Sequence, residues 1–537
     1  MSVNFLAKII NNLKLLKLDP ATTRFIKHNR RVFPANVGHA AKQPVVLMEF
    51  NRMHCNIIAS SYLANVLRED NKAIIKGFSH RAESGILRWV NSKLQRLLGS
   101  NAFGAYNSFG TEDVIAIKPS ITQTEKARDL FVDVMERLVD KRVMENLTIR
   151  GVWVGDLIYD TYLRRFMKPT INLKDQEFQD FLLESLELFI FWEDYFKDHN
   201  VRAVNVSHCA YSFSIPYRIA IKKNIPAYQV TTNHLYLMSK SNYFAYNDFF
   251  YFRERFSTLP EDIKTLGLES ARERIQLRFG GEVGVDMPYS TKSAWGPLKQ
   301  GTLLRESTKK KILVATHCFY DSPHGHGNSI FPDFYEWLEF LGKMTEVTDY
   351  DWYLKTHPDY RPETMSVLQD LMQKYPKFTL LPADASHHQI IEEGIDVALT
   401  VFGTIGFEYA ALGIPVINCS VNNPHIDYNF NIHPKNEADY KNILLTLNDL
   451  EFDIDRQEVY EYYFMKHLNK ADNENLFFND TNATVAEIGG DSARFTPVIY
   501  EKWLAEWTQD KHKSIISALR AFISSGDYRM GNIHLKF

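Results

Sequence analysis

Cysteine is scarce in this chain of 537 residues, which contains only four. Cys55, Cys209, Cys318 and Cys419 lie far apart in the sequence and form no Cys-x-x-Cys pair. Four such cysteines cannot build a disulfide framework, and their spacing lacks the paired ligands of a structural zinc site. A reducing cytoplasm is therefore the simplest compartment for this chain.

The sequence also lacks a long apolar run and an excess of charge of one sign. No segment approaches the ~20 apolar residues of a membrane span, and the first 20 residues place lysines inside their apolar part, unlike a secretory signal. The 62 Lys and Arg residues nearly balance the 65 Asp and Glu residues, whereas a dedicated nucleic-acid-binding protein is normally basic. Hydrophobic residues make up 45% of the chain, which excludes a wholly disordered protein.

Aromatic residues, by contrast, are abundant. The 36 Phe and 27 Tyr residues each outnumber the 25 Gly residues and bring the aromatic fraction to 13%. Such residues fill a large hydrophobic core or form surfaces on which sugars or bases stack. Composition alone does not distinguish these two uses.

The first 42 residues form a basic segment, in which eight Lys and Arg residues accompany a single acid, Asp19. Apolar residues between Phe5 and Leu16 recur at helical spacing, which predicts a basic amphipathic helix. Such a helix either contacts an anionic membrane surface or docks on the protein's own core.

The rest of the chain alternates short apolar runs with amphipathic stretches. In the first half, this pattern predicts strands at 44–50, 73–75, 203–206 and 225–230, with helices at 51–68, 123–143, 175–199 and 211–223. In the second half it predicts strands at 312–316, 352–355, 378–381, 397–400 and 415–418, with helices between them. Alternation of this kind is typical of an α/β fold with doubly wound parallel sheets.

A glycine-rich stretch at about 258–309 separates the two series and predicts an interdomain linker. The chain then divides into a basic segment at 1–42, a Rossmann-like domain at 43–300, a second at 301–450 and a helical tail at 451–537. Two such domains hold a ligand in the cleft that faces the carboxyl ends of both sheets.

Three polar stretches of the second domain each follow a predicted strand, so they lie at one edge of its sheet. The first, at 316–328, contains His317, Asp321, His324 and His326 together with glycines that let the backbone approach a ligand. A histidine or aspartate there can act as a base. A metal site is an alternative, although the spacing matches no strong zinc pattern.

The second stretch is Lys355-Thr-His357-Pro358. It places an imidazole at the end of a strand, where the proline stops further pairing. A cationic histidine beside Lys355 suits a phosphate group.

The third stretch has a strand ending at Thr400 and a turn through Gly403 that opens a helix at Thr404. The free N–H groups and dipole at a helix start suit a phosphate, and the threonine hydroxyls add donors. Glu408 lies one turn further, where a carboxylate can bind ribose hydroxyls. The alternative is an ordinary strand–turn–helix unit with Thr404 as its cap.

The motifs KTHP and LTVFGTIGFEYAALGIPVI, with VSHCAYSFSIPYRIAIKKNIPAY in the first half, resemble bacterial capsule and surface-polysaccharide glycosyltransferases of the GT-B architecture. The resemblance is to their Kdo- and sialic-acid-transferring groups and covers about 200–230 and 312–420. It implies transfer of a sugar from a nucleotide donor, with CMP-linked Kdo or nonulosonic acid favoured, to a capsule or lipopolysaccharide acceptor. The nucleotide sugar is then a substrate, with no further cofactor and no metal.

The resemblance also implies roles for individual residues. The donor nucleotide would be held by Lys355, His357, Pro358, Thr400, Gly403, Thr404 and Glu408. Of these, His357 would contact the phosphate and help the nucleotide leave, and Glu408 would bind the ribose. Asp321 is the general base by its position, and His324 is a further catalytic candidate. The acceptor-side candidates of the first domain are Glu49, His54, Ser207 and His208.

The expected partners are a nucleotide-sugar donor and a glycan or glycolipid acceptor, without nucleic acid. The expected location is the cytoplasm, peripheral on the inner face of the membrane if the basic helix binds lipid. The loop 422–429 either closes over the ligand or is a polar surface loop. The alternatives are a nucleotide-sugar 2-epimerase or polyol-phosphate transferase of the same architecture, and a non-catalytic glycan-assembly protein.

Overall fold

The computed structural model describes residues 19–33, 43–51, 53–79, 102–287, 290–357, 360, 362–469, 476–488 and 494–531. Its strands are β1 (Val45–Glu49), β2 (Ile74–Phe78), β3 (Thr111–Val114), β4 (Thr148–Ile149), β5 (Val152–Trp153), β6 (Val201–Val206), β7 (Ala227–Val230), β8 (Leu235–Met238), β9 (Lys311–Ala315), β10 (Asp351–Lys355), β11 (Phe378–Leu380), β12 (Val397–Thr400) and β13 (Val416–Asn418).

The α-helices lie before, between and after these strands. They are α1 (Pro20–Val32), α2 (His54–Asn71), α3 (Ala102–Ser108), α4 (Ile121–Arg137), α5 (Lys141–Glu145), α6 (Gly155–Phe166), α7 (Gln176–Asp198), α8 (Ile215–Lys222), α9 (Phe252–Ser257), α10 (Glu261–Phe279), α11 (Phe334–Val347), α12 (Glu363–Lys374), α13 (His387–Glu392), α14 (Ile405–Ala411), α15 (Glu437–Leu445), α16 (Arg456–Tyr463), α17 (Thr481–Glu487), α18 (Val498–Glu506) and α19 (Gln509–Ser525).

Two parallel sheets organise the described residues. The first has the order β3-β2-β1-β6-β7-β8, with only β8 antiparallel to its neighbour. The second has the order β11-β10-β9-β12-β13 and is wholly parallel. In both, the chain starts in the middle, winds outward and returns to the other side of its first strand, which is the doubly wound order. The predicted α/β fold class, with two doubly wound, Rossmann-like sheets and a helical C-terminal region, is confirmed.

The C-terminal helices pack on the first domain. Helix α2 is buried along most of its length, from Cys55 to Arg68, because the first sheet covers one side and helices α18 and α19 cover the other. Ile515, Leu519 and Phe522 of α19 recur at helical spacing and are buried in this core. The later part of the region predicted as a tail thus completes the hydrophobic core of the first domain, whereas α16 at its start packs in the core of the second.

Helix α10 lies before the predicted domain boundary at 300 but packs with the second domain. Its buried residues Ala271, Ile275 and Phe279 belong to the same hydrophobic cluster as Leu313 of β9 and Tyr353 of β10. The packing therefore joins α10 to the second sheet, and this placement brings α10 side chains to the cleft.

The predicted basic amphipathic helix falls mainly on residues 1–18, which lie outside the described residues. The described part of this segment, α1, docks on the first domain, with Phe25 and Ile26 buried. The ring of Phe25 stacks on that of Tyr500 with centroids 4.0 Å apart. Across the described ranges, no helix combines the length and apolar character needed to cross a bilayer.

Candidate active site

A cleft of about 690 Å³ opens between the domains, a size typical of small-ligand sites. Its walls come mainly from loops that follow β6, β9, β10 and β12 and from the end of α10 onward. Residues predicted from the sequence that line it are His208, Asp321, Lys355, His357, Thr400, Gly403, Thr404 and Glu408. Pro358 lies outside the described residues.

In each sheet the strand order reverses between two central strands, β1 and β6 in the first sheet and β9 and β12 in the second. Side-chain hydrogen bonds connect the residues at the carboxyl ends of each pair. In the first sheet, the Glu49 carboxylate accepts hydrogen bonds from the backbone N–H of Ser207 at 2.6 Å and from its hydroxyl at 2.8 Å. In the second, His317 Nε2 lies 3.0 Å from Thr400 Oγ1. Crevices at such points are where open α/β sheets bind ligands. These bonds hold the cleft loops in place.

His317 uses its Nε2 to accept a hydrogen bond from the Thr400 hydroxyl. Its Nε2 also accepts a hydrogen bond from the backbone N–H of Val401 at 3.2 Å, and its ring stacks on Phe334. Burial lowers the pKa of His317 to about 3, because desolvation disfavours the imidazolium. The neutral ring therefore carries its proton on Nδ1 and cannot serve as a cationic phosphate ligand.

The turn after β12 is built around the buried Thr400 hydroxyl. This hydroxyl bonds to His317 and accepts a hydrogen bond from the backbone N–H of Gly403 at 3.2 Å. A Cβ atom on Gly403 would lie 2.8 Å from Thr400 Oγ1. Thr400 and Gly403 therefore shape the turn, and the Thr400 hydroxyl is already used inside the protein.

We expect Gly403→Ala to lower the free energy of unfolding by about 1–3 kcal/mol, because the new methyl group overpacks a site that Thr400 and His317 hold rigid. Urea denaturation measures this change. Thr400→Ala removes the clashing oxygen, so the double variant should lose less stability than the sum of the two single variants. Strict additivity would contradict this account of the turn.

Thr404 is the N-cap residue of α14, yet its side chain makes no capping hydrogen bond. Within the described residues, the backbone N–H groups of Thr404 and Ile405 also have no acceptor. Thr404 is half-buried and lines the cleft. The alternative interpretation, that Thr404 only caps the helix, is not what the structure shows. One hydroxyl and two amides remain for a ligand.

Two basic residues follow β10 on the same edge. The Lys355 side chain is buried and donates to the carbonyl oxygen of Ala383 at 3.0 Å. Burial lowers the pKa of Lys355 to about 8, so its ammonium is retained at neutral pH. His357 is exposed in the cleft.

Glu408 is paired with Arg278 of α10 across the floor of the cleft. Both side chains are largely buried, and Arg278 also donates to the carbonyl oxygen of Val285 at 3.0 Å. The sequence analysis missed Arg278, since it lies 130 positions from Glu408 in a helix with no motif.

Trp295 is a second cleft residue that the sequence analysis missed. It lines the cleft, and its indole N–H has no partner in the described part of the chain. Its ring packs on Phe279 with centroids 4.6 Å apart. A tryptophan inside an otherwise polar, glycine-rich linker was the signal that could have identified it.

Asp321 reaches across the cleft to the first domain. Its Oδ1 accepts three hydrogen bonds. The donors are Arg164 Nη1 at 3.1 Å, the Tyr211 hydroxyl at 2.7 Å and the backbone N–H of Ser322 at 3.0 Å. All three bonds end on the same oxygen. The carboxylate is thus held in one orientation at the edge of the cleft, and its Oδ2 has no partner among the described residues.

His324 lies away from the cleft, in contrast to its predicted catalytic role. It is buried between the domains, with Nδ1 at 2.6 Å from Asp160 and Nε2 at 3.1 Å from Glu145. Despite the cost of burial, these two carboxylates raise the pKa of His324 to about 10. Both ring nitrogens are occupied, so the residue is an imidazolium that joins the domains.

Of the four acceptor-side candidates, the structure brings only His208 to the cleft. The backbone N–H of Ala210 donates to its Nδ1 at 3.1 Å, so the neutral ring carries its proton on Nε2. Glu49 and Ser207 bond to each other, as described above. His54 packs against the ring of Tyr500, and burial lowers its pKa to about 4.

The loop 422–429 packs beneath α14. His425 is buried, and a Cβ atom on Gly406 would lie 2.4 Å from its ring. Asn422 borders a second pocket instead.

The sequence left a metal site open as an alternative for the loop 316–328. Within the described residues, no group of three or more His, Cys, Asp or Glu side chains could hold a metal ion. His317, His324 and His326 each contact different partners.

No protein-family model and no curated protein sequence matches this chain. Solved structures similar to it include the Thermosulfurimonas dismutans KpsC β-Kdo 2,4-transferase, with 12% identity over 51% of this chain and 85% of that chain and a TM-score of 0.29. Another is the Neisseria meningitidis UDP-GlcNAc 2-epimerase bound to UDP-GlcNAc, with 10% identity over 83% of this chain and 98% of that chain and a TM-score of 0.22. Likeness this low assigns no reaction to the chain.

Proposed function

We propose that this protein is a nucleotide-sugar-dependent glycosyltransferase of surface-glycan synthesis and that its cleft binds the donor. One observation carries the proposal: the turn at 403–405 presents a hydroxyl and two backbone N–H groups that have no partner among the described residues, and it lines the same cleft as two basic residues. A phosphate group needs such hydrogen-bond donors and positive charge.

In this proposal, Thr404 and the adjacent amides bind the donor phosphates. Lys355 adds a fixed positive charge behind them, and His357 contacts the phosphate from the exposed side. As the bond to the sugar breaks, negative charge develops on the nucleotide, and these prearranged donors stabilise it. Glu408, oriented by Arg278, accepts hydrogen bonds from ribose hydroxyls.

Asp321 is the proposed general base. Its Oδ1 accepts three hydrogen bonds, so its free Oδ2 is oriented to accept the proton of an acceptor hydroxyl. His208 cannot take that role in the tautomer that its bond to Ala210 implies, because its Nε2 then carries the proton. It instead donates a hydrogen bond and positions the acceptor from the first domain.

The donor in this proposal is CMP-linked Kdo or a related nonulosonic acid, on the resemblance of the His-Pro and downstream threonine motifs. The alternative is a nucleotide-sugar 2-epimerase, which needs the same phosphate contacts but no acceptor. Conversion of a UDP-sugar in the absence of any acceptor would favour that alternative.

Thermal-shift binding against CMP, CDP, UDP, GDP and dTDP tests the proposal. We expect one nucleotide to raise the melting temperature, and Thr404→Ala and His357→Ala each to weaken its affinity about tenfold, as loss of a charge-assisted hydrogen bond predicts. The matched controls are Thr308→Ala and His199→Ala, which change exposed residues outside the cleft. No shift with any nucleotide would reject the proposed donor site.

A further inference from the structure

A second pocket, of about 600 Å³, lies between the domains beside the cleft. His326 lines both cavities. Its Nδ1 lies 3.0 Å from Asn247 Oδ1, and the Asn247 amide donates to the carbonyl oxygen of His326 at 3.1 Å. This reciprocal pair separates the pocket from the cleft. A ligand in one cavity is therefore adjacent to a ligand in the other.

Side-chain amides dominate the polar lining of this second pocket, which we call the asparagine pocket. Asn146, Asn328 and Asn422 form a chain in which Asn422 donates to the backbone of Asn328 at 2.6 Å and the Asn328 amide donates to Asn146 Oδ1 at 2.8 Å. Asn328 Oδ1 is buried and has no partner within the described residues. The chain of amides is therefore not fully satisfied by the protein's own groups.

Aromatic rings form another part of the lining. The guanidinium of buried Arg218 lies 4.7 Å from the ring centroid of Trp153, 4.8 Å from that of Tyr243 and 5.2 Å from that of Phe244. Arg218 is itself held by Asp156 at 2.5 Å. This cation–π cluster keeps the rings rigid before any ligand arrives. Trp153 and Tyr243 remain partly exposed, so the pocket lining combines aromatic rings with amides.

The charge of the asparagine pocket is of one sign. Lys240 is exposed at its edge and forms no ion pair with any described residue, and no described carboxylate lines the pocket. Burial lowers the pKa of His326 to about 3, so this ring adds no charge at neutral pH. The pocket is therefore complementary to a ligand with a carboxylate or phosphate at one end.

We infer that the asparagine pocket binds an acidic oligosaccharide. Sugar rings present C–H faces that pack on aromatic rings and hydroxyls that pair with amides, while an acidic group pairs with Lys240. The further assignment of this saccharide as the acceptor rests on the proposed glycosyltransferase function. Saccharide binding itself does not depend on it.

Saturation-transfer NMR with the full chain, without nucleotide, tests the inference. The probes are α2,8-linked trisialic acid and the neutral trisaccharide maltotriose. We expect binding of trisialic acid, at least tenfold weaker in Lys240→Glu and at least threefold weaker in Asn328→Leu. The matched control is Lys223→Glu, which reverses an exposed lysine outside the pocket and should bind like the unmodified protein.

Absence of binding by either saccharide would overturn the inference. Equal losses in Lys240→Glu and Lys223→Glu would overturn it too, because the effect would then come from overall charge. Equal binding of both saccharides would overturn the acidic specificity. The nucleotide series with Thr404→Ala and His357→Ala is read separately, so failure of the donor site and failure of the asparagine pocket give different results.

Discussion

Replacing His324 by alanine is expected to lower the free energy of unfolding by about 3–5 kcal/mol, the usual cost of breaking a buried ion pair. The imidazolium lies between Asp160 and Glu145, and all three side chains are almost fully buried. Its removal leaves two carboxylates without their shared cation in a site that water does not reach. Glu145 retains its bond to Arg142 at 2.7 Å, which moderates the loss.

Urea denaturation at pH 7 measures this effect, with His199→Ala as the control. His199 is exposed and loses only its stacking on Tyr195 and one hydrogen bond to the Tyr195 carbonyl oxygen, so stability should change by about 1 kcal/mol or less. If His324 were catalytic instead, His324→Gln would abolish activity while leaving stability unchanged. We expect instead that His324→Gln lowers the free energy of unfolding and that any loss of activity follows from this loss of stability.

The same cluster predicts a direction for the pH dependence of stability. The pKa of His324 is raised from 6.5 to about 10, so the folded protein holds this proton more tightly than the unfolded chain. Its contribution is complete below about pH 6.5 and is lost as pH rises toward 10. Stability of the unmodified protein should fall across that window more steeply than that of His324→Gln.

Replacing Arg278 by methionine is the second change with a large expected effect, again about 3–5 kcal/mol of unfolding free energy. It leaves the Glu408 carboxylate in the cleft floor without its cation. Glu408→Gln in the same chain removes the uncompensated charge. The double variant should therefore recover much of the stability lost by Arg278→Met alone.

A double-mutant cycle measures this coupling by urea denaturation, and calorimetry measures the affinity for the nucleotide found in the panel. We expect coupling of about 1–3 kcal/mol in stability. Nucleotide affinity should remain weak in the double variant, because an amide is a poorer acceptor for ribose hydroxyls than an oriented carboxylate. Recovery of both properties would argue against a ribose contact at Glu408.

Much of the second domain could be predicted from the sequence because its signals are local. Strands β9, β10 and β12 are short apolar runs, and each is followed at once by polar residues. Parallel strands align their carboxyl ends, so three separate stretches had to meet at one edge. Prediction of the cleft required only that rule.

The roles of individual histidines could not be predicted from the sequence, because they depend on partners that lie far away in the chain. The histidines of 316–328 look alike in sequence, yet His317 joins the strand ends, His324 pairs with the first domain and His326 separates two cavities. Local spacing cannot tell these apart, since a backbone rotation of a few residues in a glycine-containing loop redirects each side chain. The residue type alone therefore did not indicate which partner each histidine side chain contacts.

By itself, the sequence determined the α/β class, the order of strands and helices in the second domain, and the edge of the second sheet where ligand-binding residues gather, because hydrophobic periodicity is a property of neighbouring residues. Only the tertiary structure decided which charges are paired. Arg278 meets Glu408, Arg164 meets Asp321 and Asp160 meets His324 across gaps of more than 100 residues. Such pairing depends on tertiary packing, within the second domain for Arg278 and Glu408 and between the domains for the other two pairs. A buried charge must find its partner wherever the fold places one.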